Sequence, residues 1–245
     1  MGLLDFEKFA PERQTSGDPH GVKLREAVRD AGRGQCAICA VLDAQERARL
    51  YWLAYEGLSD PGLREKLKAS KGLCRRHFRL LYRAVSEQTY NTSGVADLMR
   101  ALLDADRDAL RAALAEAKAG RRAKKAVAGL RTRSRCPLCD DATAATDRKI
   151  QTLISELGNE SFRQVYVSSP GLLCRPHLLA ALNKEPDEAV VVALLHKHLK
   201  ALEADDEELA EFIRKRDYRF SSEAKGAEQD APRRTVDEFI GTWPR

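Results

Sequence analysis

No stretch of this chain is apolar for the roughly 18 residues that a membrane span requires. Its first residues, MGLLDFEKFAPER, carry Asp5, Glu7 and Lys8 where a secretory leader needs an apolar run. Phe6 stands where an N-myristoylation signal wants Ser or Thr. Aromatic residues are scarce, at 6 % of 245. No glycine-rich phosphate loop, nucleophile elbow or EF-hand loop occurs, and no catalytic constellation is found. Neither sign of charge dominates: 42 Lys and Arg against 37 Asp and Glu leave +5. That permits an anionic partner without demanding one. These absences give the expectation of a cytoplasmic, non-enzymatic protein with no membrane partner.

Cysteine is scarce too, but all six residues fall into one pattern. Cys36-x-x-Cys39 is followed by Cys74-x-x-His77, and one hundred residues later Cys136-x-x-Cys139 is followed by Cys174-x-x-His177. In both copies 34 residues separate the CxxC from the CxxH, and no thiol is left over. Three thiolates and one imidazole complete a tetrahedral zinc set, and a closed set leaves no open position for water or substrate. The expected cofactor is two structural zinc ions per chain, bound by Cys36, Cys39, Cys74, His77, Cys136, Cys139, Cys174 and His177. An iron–sulfur cluster on the same ligands is one alternative. Thiol–disulfide chemistry of the two CxxC pairs is another, although it leaves the matched CxxH motifs unexplained.

An abundance of Ala, Leu, Arg and Glu favours helices. After Cys39, Val41, Ala44, Ala48, Tyr51, Trp52 and Tyr55 recur at steps of three and four, the spacing of one helix face. Gly57 to Gly62 break it, and Leu63 to Ala69 read as a returning helix. In the second copy Ile150, Leu153, Ile154 and Leu157 lead outward, Gly158-Asn159 break, and Phe162, Val165 and Tyr166 lead back. Val165 to Val167 also has some strand character. Long helices are expected at about Val95 to Lys118, with Ser93 as N-cap, and at about Glu188 to Arg214. The spacer therefore reads as an out-and-back hairpin that returns each CxxH to its own CxxC.

The fold expected is all-α: two tandem homologous helical-hairpin modules in a pseudo-twofold arrangement, each closed by a Cys3His site. The divisions read as an arm (1–21), repeat 1 (22–119), a basic linker (120–135), repeat 2 (136–220), and a flexible strap with a short amphipathic helix (221–245). Exchange of ligands between copies, with Cys36 and Cys39 meeting Cys174 and His177, stays open, because duplicated modules can swap elements. Thr235 to Glu238 has the form of a capping box ahead of Phe239, Ile240 and Trp243, and reads as the start of a helix docking on the body.

Seven of the sixteen residues from Gly120 to Arg135 are Lys or Arg, and Lys66, Lys68, Lys71, Arg75, Arg76, Arg79 and Arg83 crowd the first CxxH. Phosphate contact with nucleic acid is one reading. No aromatics are interleaved for base stacking, and solvated helix faces account for the same residues. An unidentified protein partner, engaged by an adaptor or regulator, is favoured over nucleic acid. His196 and His198, two apart on a helix, point to different faces and cannot share an ion. His20 reads as a loop residue. Asp104, Asp106 and Asp108, with Asp205 to Glu208, read as solvated faces.

CPLC, GLLCRPH and the segment Phe212 to Phe220 (FIRKRDYRF) together resemble a bacterial family without an assigned activity. Its members carry paired CxxC and CxxH motifs, an arginine-rich RDYRF-like stretch and a short amphipathic C-terminus. The resemblance spans about residues 20–241 and implies the same eight ligands. The first copy departs from the family form in having Ala37 and Arg76 where the second has Pro137 and Pro176. Within Arg214 to Phe220, the cations are expected to complement a helix C-terminus, with Tyr218 and Phe220 packing across the two copies; an anion-binding strip is the alternative.

Overall fold

The computed structural model of the chain describes residues 21–86, 92–120, 134–220 and 222–242, and no strand occurs among them. Among the described residues ten α-helices follow in order: α1 (Val22–Asp30), α2 (Ala37–Tyr55), α3 (Pro61–Ala69), α4 (Arg75–Ala84), α5 (Ser93–Lys118), α6 (Pro137–Gly158), α7 (Glu160–Ser168), α8 (Arg175–Leu182), α9 (Glu188–Arg214) and α10 (Ala231–Ile240). The series α2 to α5 recurs as α6 to α9. The duplication of the cysteine pattern is thus a duplication of four helices, with α1 and α10 added at the ends.

Local chemistry sets the helix starts. Asp60 caps α3 by accepting from the Leu63 amide at 2.6 Å, with Pro61 in the first turn. Asn159 caps α7, accepting from Ser161 at 3.0 Å and Phe162 at 3.3 Å. Val165 to Val167 lie inside that helix, so their β-branched character yields to the helical context. At α5 the N-cap is Thr92, not Ser93. The Thr235 capping box is also corrected: α10 starts at Ala231 with Pro232 in its first turn, and the Thr235 hydroxyl donates back to the Ala231 carbonyl at 2.9 Å.

The chain packs as two compact units, one made of the segments up to Ala44 and from Ala145 onward, the other of Gln45–Ala144. Their boundary falls inside α2 and inside α6, so each sequence repeat is divided between both units. In the first unit Leu24 and Val28 of α1, Ile38 and Leu42 of α2, Ile150, Leu153 and Leu157 of α6, Phe162 and Tyr166 of α7, and Leu194 of α9 form one buried core. In the second, Leu50 and Leu53 of α2, Leu63 and Leu67 of α3, Leu81 of α4, Leu98 and Leu102 of α5, and Leu138 of α6 form another.

In the first unit α10 packs on α8 and α9. An ion cluster holds it there. Arg234 of α10 donates to Asp205 of α9 through Nε at 2.9 Å and Nη2 at 2.8 Å, and pairs with Glu208 as well. Arg33 adds bonds to Asp205 at 3.2 Å and Glu208 at 2.6 Å. Asp205 is thus a buried structural anion, not part of a solvated face. Arg214 stands in the last turn of α9, as expected for a cation at a helix C-terminus. Arg214 is held by Glu211 and Glu223, and its guanidinium lies over the Phe220 ring at 4.5 Å. Tyr218, expected to pack between copies, is 84 % exposed.

Candidate metal centres

Each CxxC sits at the entrance to a long helix, Cys36 and Cys39 at α2, Cys136 and Cys139 at α6. Each CxxH opens a short one, Cys74 and His77 at α4, Cys174 and His177 at α8. Cys74 stands at the N-cap of α4, and its sulfur accepts from the His77 amide at 3.5 Å. A helix's first turn offers unpaired N–H groups and a positive dipole end, both of which favour a thiolate.

All eight side chains converge, in two sets of four. Cys36, Cys39, Cys174 and His177 form the first centre; Cys74, His77, Cys136 and Cys139 form the second. Within each set the candidate ligand atoms lie within 4.8 Å of one another, so each could hold a metal ion. The imidazoles face inward through Nδ1. His177 Nδ1 lies 3.5, 3.5 and 3.1 Å from the sulfurs of Cys36, Cys39 and Cys174. His77 Nδ1 lies 3.2, 3.4 and 3.5 Å from those of Cys74, Cys136 and Cys139. Cys39 and Cys174 approach to 3.7 Å, as do Cys139 and Cys74, and every cysteine is free of disulfide.

The pairing corrects the hairpin expectation: each CxxC meets the CxxH of the other repeat. Helix length is the reason. α2 has 19 residues and α3 only nine. At 1.5 Å per residue the outward leg covers about 28 Å and the return about 13 Å. α4 therefore starts beside the middle of α2, where Glu46 bonds His77. α6, with 22 residues, and α7, with nine, repeat the mismatch. In the first unit two loops close the gap. The Leu172 amide donates to the Gln35 carbonyl at 3.0 Å, and Gly171 lies so close to Ala31 that an added Cβ would fall 2.3 Å from the Ala31 Cβ.

The surroundings of the two centres differ. Glu46 accepts at 2.8 Å from His77 Nε2, the nitrogen facing away from the sulfurs, and forms a two-pronged pair with Arg76. Thr146 and Pro176 hold the corresponding positions in repeat 2, so both charges of that pair are replaced together. Burial works against charge on His77, but its bonds to Cys136 and Glu46 outweigh this and hold its pKa at about 10. Burial likewise opposes the Cys136 thiolate, while His77 and backbone amides bring its pKa down to about 6. In the first centre burial, with neighbouring sulfurs, pushes Cys36 well up. The bond from Cys36 lowers the Cys174 pKa, but Cys39 and burial outweigh it and push it up to about 12. A metal ion held by either set of four would displace these protons.

A family model matches residues 22–245, which include all eight converging residues and every helix. The chain belongs to the family of unknown function DUF6062. No curated protein and no solved structure matches it. In this DUF6062 member the remaining candidates stand apart from the two centres. His196 is exposed; His198 is buried, with Nδ1 2.6 Å from the Leu194 carbonyl and Nε2 3.0 Å from that of Leu173. Burial pushes its pKa down, against the opposing pull of these two carbonyls. His20, Trp243 and residues 121–133 of the basic run lie outside the described residues. Among the described residues no helix is long and apolar enough to cross a membrane.

Glu46 was not foreseen in the sequence. A glutamate ten positions after Cys36 on a charged helix face carries no local signal, and only the return of α4 reveals its role. Gly241 was not foreseen either. It follows α10 at φ 81°, and an added Cβ would stand 3.1 Å from the Cys174 sulfur and 3.3 Å from that of Cys39.

Proposed function

We propose that this DUF6062 member is a non-enzymatic, cytoplasmic zinc-binding adaptor or regulator, in which two Cys3His zinc ions hold the exchanged halves of its repeats in register. One observation carries the zinc reading: the spacing of the ligand atoms. A tetrahedral ion with Zn–S about 2.3 Å and Zn–N about 2.0 Å requires sulfurs about 3.8 Å apart and sulfur-to-nitrogen separations of about 3.5 Å. The 3.7 Å and 3.1–3.5 Å separations suit a single ion of that size. A multi-iron cluster interposes iron and sulfide between its ligands and would hold the sulfurs farther apart. Four protein donors fill each set, which suits a structural ion whose binding free energy becomes folding free energy.

A protein partner is supported by α9. Val192, Leu195, Leu199 and Leu202 follow at steps of three and four, each 45–57 % exposed. An apolar helical stripe of this kind fits docking against another helix or groove.

Elemental analysis and a visible spectrum of anaerobically purified full-length protein test the proposal. Two zinc ions per chain and a colourless solution are expected. Iron with visible absorption would replace the reading with an iron–sulfur protein, and metal-free reactive thiols with a thiol–disulfide protein. Binding to generic DNA or RNA that falls steeply with salt would move the partner to nucleic acid.

A further inference from the structure

The two centres share one ligand set but not one shelter. In the first, Cys36, Cys39, Cys174 and His177 are only 1–4 % exposed. Gly241 roofs it: a Cβ added there would stand 3.1 Å from the Cys174 sulfur and 3.3 Å from that of Cys39, tighter than ordinary contact, at a backbone φ of 81° that side chains rarely adopt. α10 delivers that glycine and is fastened at several points. Arg234 reaches the buried Asp205, and its stem crosses Gly34, two residues before Cys36, where a Cβ would stand 2.4 Å from Arg234 Cγ. Arg175, beside Cys174, lies over the Phe239 ring at 5.8 Å.

In the second centre Cys74, Cys136 and Cys139 are half-buried. On the outer side of its histidine the second centre carries the charged side chains Glu46 and Arg76.

Building on the zinc reading above, we infer that the two centres divide their work. The first is a sealed structural centre with α10 as its lid. The second is the exchange centre, where zinc passes to and from small chelating solutes and where thiol reagents reach the protein. A four-coordinate zinc ion loses a ligand to a competitor only if that competitor can approach the ion or a sulfur can swing away. Both routes need space, and at Cys39 and Cys174 the Gly241 backbone occupies it. Release from the first centre therefore waits for α10 to undock, a local opening. Where docked α10 also tightens zinc binding at equilibrium, zinc tightens the docking of α10 by the same factor.

The test is zinc transfer from the zinc-loaded full chain to excess 4-(2-pyridylazo)resorcinol. Two phases of one equivalent each are expected, the slow one at least about tenfold slower because it passes through an opening. Cys139→Ser should remove the fast phase, and Gly241→Ala should speed the slow one. Because either variant could fail to fold, timed iodoacetamide labelling of the wild-type protein, mapped by peptide mass, supplies a second reading. Cys74, Cys136 and Cys139 should be alkylated before Cys36, Cys39 and Cys174. Two equivalents leaving at one rate, or the reverse labelling order, would overturn the division while leaving the zinc reading intact. Protein without zinc would instead remove the reading on which the division rests.

Discussion

Glu46 of α2 and His77 of α4 face each other with Oε1 2.8 Å from Nε2, while His77 Nδ1 points at three sulfurs. A carboxylate on the outer nitrogen fixes the tautomer, orients the ring and raises its basicity as a ligand. Glu46→Gln should therefore weaken zinc binding at the second centre by about 10–100-fold, with the first centre unchanged. Competition with a calibrated chelator, following each centre through its Cys→Ser partner variant, measures this. Equal weakening of both centres would count against the role given to Glu46.

Gly171 lets the loop before Cys174 lie flat on the loop before Cys36. Gly171→Ala forces a Cβ to within 2.3 Å of the Ala31 Cβ and 3.0 Å of its carbonyl oxygen. Overpacking of this kind costs about 1–3 kcal/mol. Denaturant titration should show that loss, and zinc analysis should show a deficit at the first centre alone. An unchanged midpoint would mean that the loops have room the structure does not show.

Glu238 of α10 is buried, and one of its oxygens lacks a hydrogen-bond partner. Burial, together with the neighbouring Asp205, pushes its pKa up from 4.5 to about 8. Between these values the folded chain keeps a proton that the unfolded chain has released, so stability falls as pH rises across the window. The loss is complete above the folded pKa. Melting temperatures of wild type and Glu238→Gln should diverge as pH rises from 4.5 to about 8, with the variant declining less, and run parallel above that. Curves parallel throughout would show that Glu238 does not titrate in this range.

Much of this was legible in the sequence because it rests on local signals. The ligand pattern, the span of α9 from Glu188 to Arg214, and the break at Gly158-Asn159 follow from spacing, periodicity and capping chemistry. The partner of each CxxC was not legible in the same way. Both spacers have 34 residues, so the motif pattern itself does not tell pairing within repeats from pairing between them. The nine residues of α3 against the nineteen of α2 decide it, through the distance the chain recovers. Helix α1 passed unread, although Leu24 and Val28 are core residues, because nine residues give too short a window for periodicity to stand out. Thr235 misled because a capping-box pattern also fits the interior of a helix that starts one turn earlier.

Zinc content of paired serine variants separates exchange of ligands between repeats from closure within each repeat. Cys39→Ser with Cys174→Ser disables one centre twice over, so one zinc should remain. Cys39→Ser with Cys74→Ser disables both centres, so none should remain. If the first pair lost both ions and the second kept one, each repeat would close its own site and the exchanged architecture would be wrong.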